Sequence, residues 1–195
     1  MWLFDVETLG KRSNSVILSF ACIQFDATSK PSPDQLRKDA FFAKFDVEEQ
    51  VKKYKREVKK PTLEWWSKQC DNVKNKSFRP DKTIDEEFIP GYERFREWVK
   101  SKNDKDSWVW ARGNLDQLVL DDIEEQLELK PIFYYNRWRD VRTAIDIFYD
   151  NKTGYVDVDY PGFDPSLHIT KHNPIDDCLY DVMMLIYGKN NSPVS

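Results

Sequence analysis

Two carboxylates stand inside a stretch that otherwise demands burial, and they constrain this chain more than anything else in it. Trp2-Leu3-Phe4-Asp5-Val6-Glu7 reads as a buried strand broken by Asp5 and ending on Glu7. Positions two apart on a strand leave the same face, so both acids point one way. Unpaired carboxylates among apolar neighbours are costly. Either the pair is an ordinary solvated strand end, which Asp-x-Glu alone does not exclude, or something positive is held there. The far end of the chain carries His172-Asn173-Pro174-Ile175-Asp176-Asp177, a loop histidine followed by a helix start with acids in its first turn.

A third acid fits the same scheme. Asp116, in Ala111-Arg112-Gly113-Asn114-Leu115-Asp116, follows an apolar run and begins a helical stripe, although a carboxylate there is also a routine complement to a helix N-terminus. Acids so far apart in sequence, brought together, would share hard divalent cations such as Mg²⁺ or Mn²⁺. A histidine set ahead of the last acid could then take a proton from an attacking water, and that combination reads as phosphodiester hydrolysis. The chain contains two histidines, His168 and His172, so the base is one of these.

The remaining pattern is that of a mixed sheet flanked by helices. Residues 2–6, 16–25 and 41–45 read as strands, as does 108–111, with an exposed turn region over 29–34. Pro61-Thr62 opens a short helix carrying Trp65 and Trp66. Thr83-Ile84-Asp85-Glu86 has the form of a capping box before Ile84, Phe88, Tyr92, Phe95 and Val99 at helical spacing. Leu115, Leu118, Val119, Ile123 and Leu127 make another stripe, and a last helix runs from Pro174 to a stop at Gly188. The basic run Lys52–Lys60 is expected to be a solvated helix face. No repeat or linker interrupts the chain, and 195 residues suit a single domain over 1–195.

Three cysteines without paired spacing suggest a reducing, cytoplasmic setting, and no targeting or membrane-length segment is evident. A net charge of -4 argues against a basic coat for gripping duplex DNA, but bound divalent ions would bring positive charge to where phosphate must sit.

Five blocks in order extend the reading: Phe4-Asp5-Val6-Glu7-Thr8-Leu9-Gly10, Thr62-Leu63-Glu64-Trp65-Trp66, Arg112-Gly113-Asn114-Leu115-Asp116, Arg139-Asp140-Val141-Arg142-Thr143 and His172-Asn173-Pro174-Ile175-Asp176-Asp177-Cys178. With them the chain resembles the DEDDh 3'–5' exonucleases of RNase H-like (DnaQ-like) α/β fold, nearest to those of T-even bacteriophages. The resemblance implies that Asp5, Glu7, Asp116 and Asp177 hold two Mg²⁺ or Mn²⁺ ions, with Asp5 and Glu7 part of the catalytic set and His172 the general base. It implies that Thr8, Leu9, Trp65, Trp66 and Arg112 meet the substrate. The loop before Asp116 is one residue shorter than in the phage relatives, and Asp121 and Asp122 lie further along the same helix. The expected substrate is the 3' end of single-stranded DNA, cut to nucleoside 5'-monophosphates in the cytoplasm (the host's, if phage-encoded). RNA of the same polarity is the alternative, and a non-catalytic nucleic-acid-binding module a further one. Oligomeric state is not legible.

Overall fold

Alternation along the first strand decides the layers of this protein. The computed structural model describes residues 1–104 and 106–189. Its strands are β1 (Trp2–Thr8), β2 (Ile17–Gln24), β3 (Phe41–Phe45), β4 (Asp85–Glu86), β5 (Val109–Ala111) and β6 (Trp138–Asp140). They form one six-stranded sheet in the order β4-β3-β2-β1-β5-β6. β1, β2 and β3 pair antiparallel, whereas β5 and β6 join in parallel. The helices are α1 (Pro33–Lys38), α2 (Val47–Tyr54), α3 (Lys60–Ser67), α4 (Asp71–Val73), α5 (Phe88–Ser101), α6 (Leu115–Gln126), α7 (Val141–Tyr149), α8 (Pro165–His168) and α9 (Pro174–Tyr187). A π-helical turn, Lys74–Phe78, continues α4.

Trp2, Phe4 and Val6 face the side covered by α5 and α6, in one core with Phe20, Phe45, Tyr92, Phe95, Val119 and Ile123. Leu3 faces the other side, with Ala21, Ile23, Val141, Ile145, Cys178, Leu179, Val182 and Met183 from β2, α7 and α9. Since side chains alternate, Asp5 and Glu7 belong to the Leu3 face, under α9.

Three local expectations fail for identifiable reasons. The capping box at Thr83 does not form: the Thr83 hydroxyl donates to Asp81 at 2.6 Å, and Asp85–Glu86 pairs in parallel with β3 as β4. A buried Lys44 ammonium against Asp85 draws that segment onto the sheet, and α5 begins only at Phe88, whose N–H donates to Glu49 at 2.8 Å. In α6, Leu118 is exposed and Leu120 takes its place in the core. The Lys52–Lys60 run is not uniformly solvated. It spans the end of α2, an extended connection and the start of α3, and Arg56 is buried, donating to the Ser13 and Ser15 carbonyls at 2.7 and 3.0 Å. Cys22, Cys70 and Cys178 are free thiols. No helix among the described residues is long and apolar enough to cross a membrane.

Candidate metal centre

The parallel ladder between β1 and β5 runs only through Trp2–Val109 and Leu3–Trp110. Beyond it the β1 edge is open, and the first turn of α6 fills the gap: Asp116 accepts the Val6 N–H at 2.9 Å. On the other side α9 crosses β1 and β2, its Cys178 Sγ lying 3.7 Å from the Leu3 carbonyl and 3.6 Å from that of Ala21. Asp177, one residue earlier, is therefore set over the end of β1. Its neighbour Asp176 turns away and pairs with Arg37 at 2.8 Å. Asp5, Glu7, Asp116, His172 and Asp177 all line one cleft of about 270 Å³.

The acids at the centre of this cleft are only partly answered by protein cations: Arg112 is paired with Asp181 and His172 stands beside Glu7. Asp5 Oδ2 is buried with no hydrogen-bond partner. Burial pushes the Asp5 carboxyl well above the usual range, and the charges of Asp177, Glu7, Asp116 and Asp181 push it further. Burial lifts Asp116 to about 7 despite its bond from Val6, and lifts Asp177 to about 7 with help from Glu7. Glu7, His172 and Asp177 each offer one ligand atom, all within 4.8 Å of one another. An orphaned carboxylate oxygen among convergent acids is what a missing counter-charge leaves behind. An oxygen-rich donor set of this kind fits hard divalent cations, Mg²⁺ or Mn²⁺.

His172 is held from several directions. Its backbone is left-handed (φ 62°), a conformation in which His, Asn and Asp are enriched among non-glycine residues. Its N–H donates to Asp177 at 2.8 Å, and its carbonyl accepts the Ser77 hydroxyl from the π-helical turn. The ring stands edge-on to Trp65, with centroids 4.8 Å apart, and 6.0 Å from Trp66. Nδ1 lies 3.6 Å from Glu7, whose carboxylate raises the imidazole pKa against the opposing effect of burial. His168 is exposed outside the cleft, stacked on Phe163, with the Asp164 N–H donating to its Nδ1. Of the two histidines, His172 is the one at the acids.

The expected substrate contacts divide. Trp65 is 42% exposed beside His172. Trp66 is a correction: it is buried, stacked on Phe78 at 5.7 Å, and donates its indole N–H to the Thr8 carbonyl. The Leu9 side chain is likewise a core residue, packed with Val16, Leu18 and Trp66. Thr8 is mostly buried and its hydroxyl donates to the Gly10 carbonyl at 2.7 Å. Arg112 lines the cleft but is committed to protein. Its Nε reaches both Asp181 oxygens at 2.8 and 3.0 Å, and Nη1 donates to the Gly154 carbonyl at 2.9 Å. Asp122 pairs with Arg56 at 2.9 Å, and neither it nor Asp121 lines the cleft, which leaves Asp116 as the α6 acid.

Asp181, Lys171 and Ser77 stand outside the motifs that mark site residues, whereas Arg142, which lies in one of the five blocks and is among the arginines that could meet phosphate, does line the cleft. Asp181 lines the cleft one turn beyond Asp177, and burial lifts its pKa to about 6 against the pull of Arg112. Its four-residue spacing from Asp177 was the available signal.

Residues 2–187 match the family model described as the 3'-5' exoribonuclease Rv2179c-like domain. Among solved structures the chain is similar to the nuclease domain of 3'hExo, a DEDDh family member crystallised bound to rAMP. That likeness has a TM-score of 0.61 at 11% identity and covers 95% of this chain and 90% of that one, which shows a shared RNase H-like fold. No curated protein matches the chain.

Proposed function

This chain belongs to the Rv2179c-like 3'-5' exoribonuclease domain family, and from that premise we propose that it is a metal-dependent 3'–5' exonuclease acting as a single domain on single-stranded nucleic acid. Its products are nucleoside 5'-monophosphates released from the 3' end. The observation that carries this reading is the convergence of Asp5, Glu7, Asp116 and Asp177 with His172 on one cleft, with an Asp5 oxygen left buried and unpartnered.

Asp5, Glu7, Asp116 and Asp177 would hold the divalent cations, Mg²⁺ or Mn²⁺. Such cations supply Lewis-acid stabilisation of the phosphate and ease ionisation of the attacking water. His172 accepts the proton of that water. Were Glu7 to hold a cation, its carboxylate would no longer favour the charged form of His172, which would suit a general base working near neutral pH. The hard donor set favours His172 as base over His172 as ligand. Trp65, half exposed beside the ring, offers a face on which a terminal base can stack, a contact worth about 1–3 kcal/mol. Single strands fit best, because a paired end must be unstacked at a cost of a few kcal/mol before its last phosphodiester reaches the cleft.

RNA is the first substrate reading, supported by the description of the family as exoribonucleases and by the rAMP bound to 3'hExo. DNA is the second, supported by the sequence blocks that resemble the T-even bacteriophage exonucleases. The test is digestion of 3'- and 5'-labelled single strands of RNA and DNA with Mg²⁺, Mn²⁺ or chelator. Stepwise shortening from the 3' end that needs the metal, faster on RNA, is expected. Metal-independent cleavage, 5' polarity or no cleavage of either strand overturns the proposal.

A further inference from the structure

Four arginines lie in the stretch from β5 to α7, and the structure sorts them. Arg112 is spent on Asp181 and Gly154. Arg137 pairs with Asp106 at 3.3 Å beside Trp108. Arg139 lies over the Trp108 ring at 3.8 Å and donates to the Asn136 and Trp138 carbonyls. Arg142 alone of these lines the cleft without an ion-pair or hydrogen-bond partner for its guanidinium among the described residues.

Arg142 is exposed, with its stem running alongside Gly154 and its tip near Gly113. Gly154 (φ 72°) and Gly113 (φ 83°) are both left-handed. A methyl group on Gly154 would come within 2.9 Å of Arg142 Cγ, and one on Gly113 would stand 3.8 Å from Nη1. Both glycines are held without help from the Arg142 side chain. Asp181, through Arg112, ties down the Gly154 carbonyl, and Asp140 accepts the Gly113 N–H at 2.8 Å while capping the first turn of α7. A long cationic side chain that lays its stem against a glycine and leaves its tip free is a site for an anion from outside.

We propose that Arg142 binds a backbone phosphate of the substrate strand on the 5' side of the scissile one. The offset follows from placement. Arg142 lines the cleft together with Asp181, which sits one helical turn, about 5.4 Å along the α9 axis, beyond Asp177. A guanidinium at the cations themselves would be repelled by them, whereas beside Asp181 it is screened from them. The inference rests on the exonuclease reading and deepens it.

The test compares a dinucleoside monophosphate, whose only phosphate is the scissile one, with the trinucleoside diphosphate that adds the next. Arg142→Gln is expected to lower kcat/KM on the trimer about tenfold, mainly through KM, and to leave the dimer within twofold. The salt dependence of log KM on longer strands should flatten by about 0.7, the loss of one single-strand phosphate contact. Arg142→Lys should recover part of the trimer loss. Calorimetric Mn²⁺ affinity and activity on the dimer report that the site itself is intact. An equal fall on dimer and trimer, or no fall on either, overturns the phosphate contact while wild-type activity stands. Wild-type inactivity on both substrates instead overturns the exonuclease reading.

Discussion

Asp5 illustrates how one side chain can oppose the fold that carries it. Its position in β1 is fixed by apolar neighbours on both sides, and its Oδ2 ends buried beside the carboxylates of Glu7, Asp116 and Asp177 with no donor in reach. Replacing it with Asn removes a carboxyl that burial and the neighbouring acids drive towards its protonated form, and puts an amide donor among acceptors. Asp5→Asn is therefore expected to raise the Tm of the metal-free protein by a few degrees, to weaken Mn²⁺ binding in calorimetry and to abolish turnover, a stability gain at functional cost. His172→Ala should behave oppositely: Mn²⁺ binding largely kept, kcat lowered by roughly 10²–10⁴-fold, the usual worth of a general base. His168→Ala, outside the cleft, serves as the reference and should turn over normally. At this scale the sequence was legible wherever a side chain was anomalous in its setting. Asp5 and Glu7 stood out as acids beside a buried run, and His172 as one of only two histidines. Trp66 and Leu9 misled because an aromatic or apolar residue near a motif reads alike whether it faces the cleft or supports it from behind. The ion pair of Arg112 was not legible because its partner Asp181 is brought to it only by the fold.

Among the elements, the π-helical turn Lys74–Phe78 has a position out of proportion to its length. Ser77 donates to the carbonyl of His172, Phe78 stacks on Trp66, and Trp66 ties α3 to the end of β1 through Thr8. The turn thus braces from behind the left-handed residue that aims the imidazole. Ser77→Ala is expected to lower kcat about tenfold, equivalent to ~1.4 kcal/mol. KM and Mn²⁺ affinity should change little. The His172 ring signals, read by NMR in a His168→Ala background, should broaden as the loop loses its anchor. Unchanged ring signals with unchanged kcat would remove Ser77 from the positioning set. None of this was readable from Lys74-Asn75-Lys76-Ser77-Phe78, since a π turn has no residue signature and its partner is 95 residues away. Helices with local signals were readable: Pro174 after an Asn173 cap opens α9, and the apolar runs of β1 to β3 locate the sheet. Thr83–Glu86 carried a local helix signal that a buried Lys44–Asp85 pair overrode, so the failure there is tertiary competition with a weak preference.

For the whole molecule, the acids make stability depend on pH and metal together. An acid whose folded pKa stands above its unfolded value keeps a proton in the fold that the unfolded chain has already lost, so stability falls as pH rises between the two values. For Asp116 and Asp177 that window runs from the ordinary carboxyl value of 3.8 to about 7. His172, with its pKa raised above 6.5 by Glu7, acts in the same sense: the ion pair contributes below that value and is lost as pH rises through the folded pKa. In chelator, the Tm is therefore expected to fall from pH 5 to pH 8 by at least ~5 °C, on a scale of about 2–4 °C per kcal/mol for a protein of this size. Divalent cations require the ionised carboxylates, so their stabilisation must grow over the same interval. Melting curves with millimolar Mn²⁺ should lie well above the chelator curves at pH 8 and approach them near pH 5, and Asp5→Asn should narrow that gap. A chelator Tm that is flat or rising between pH 5 and pH 8 would mean that the buried acids are compensated from within the protein, and that the cleft is not built around cations.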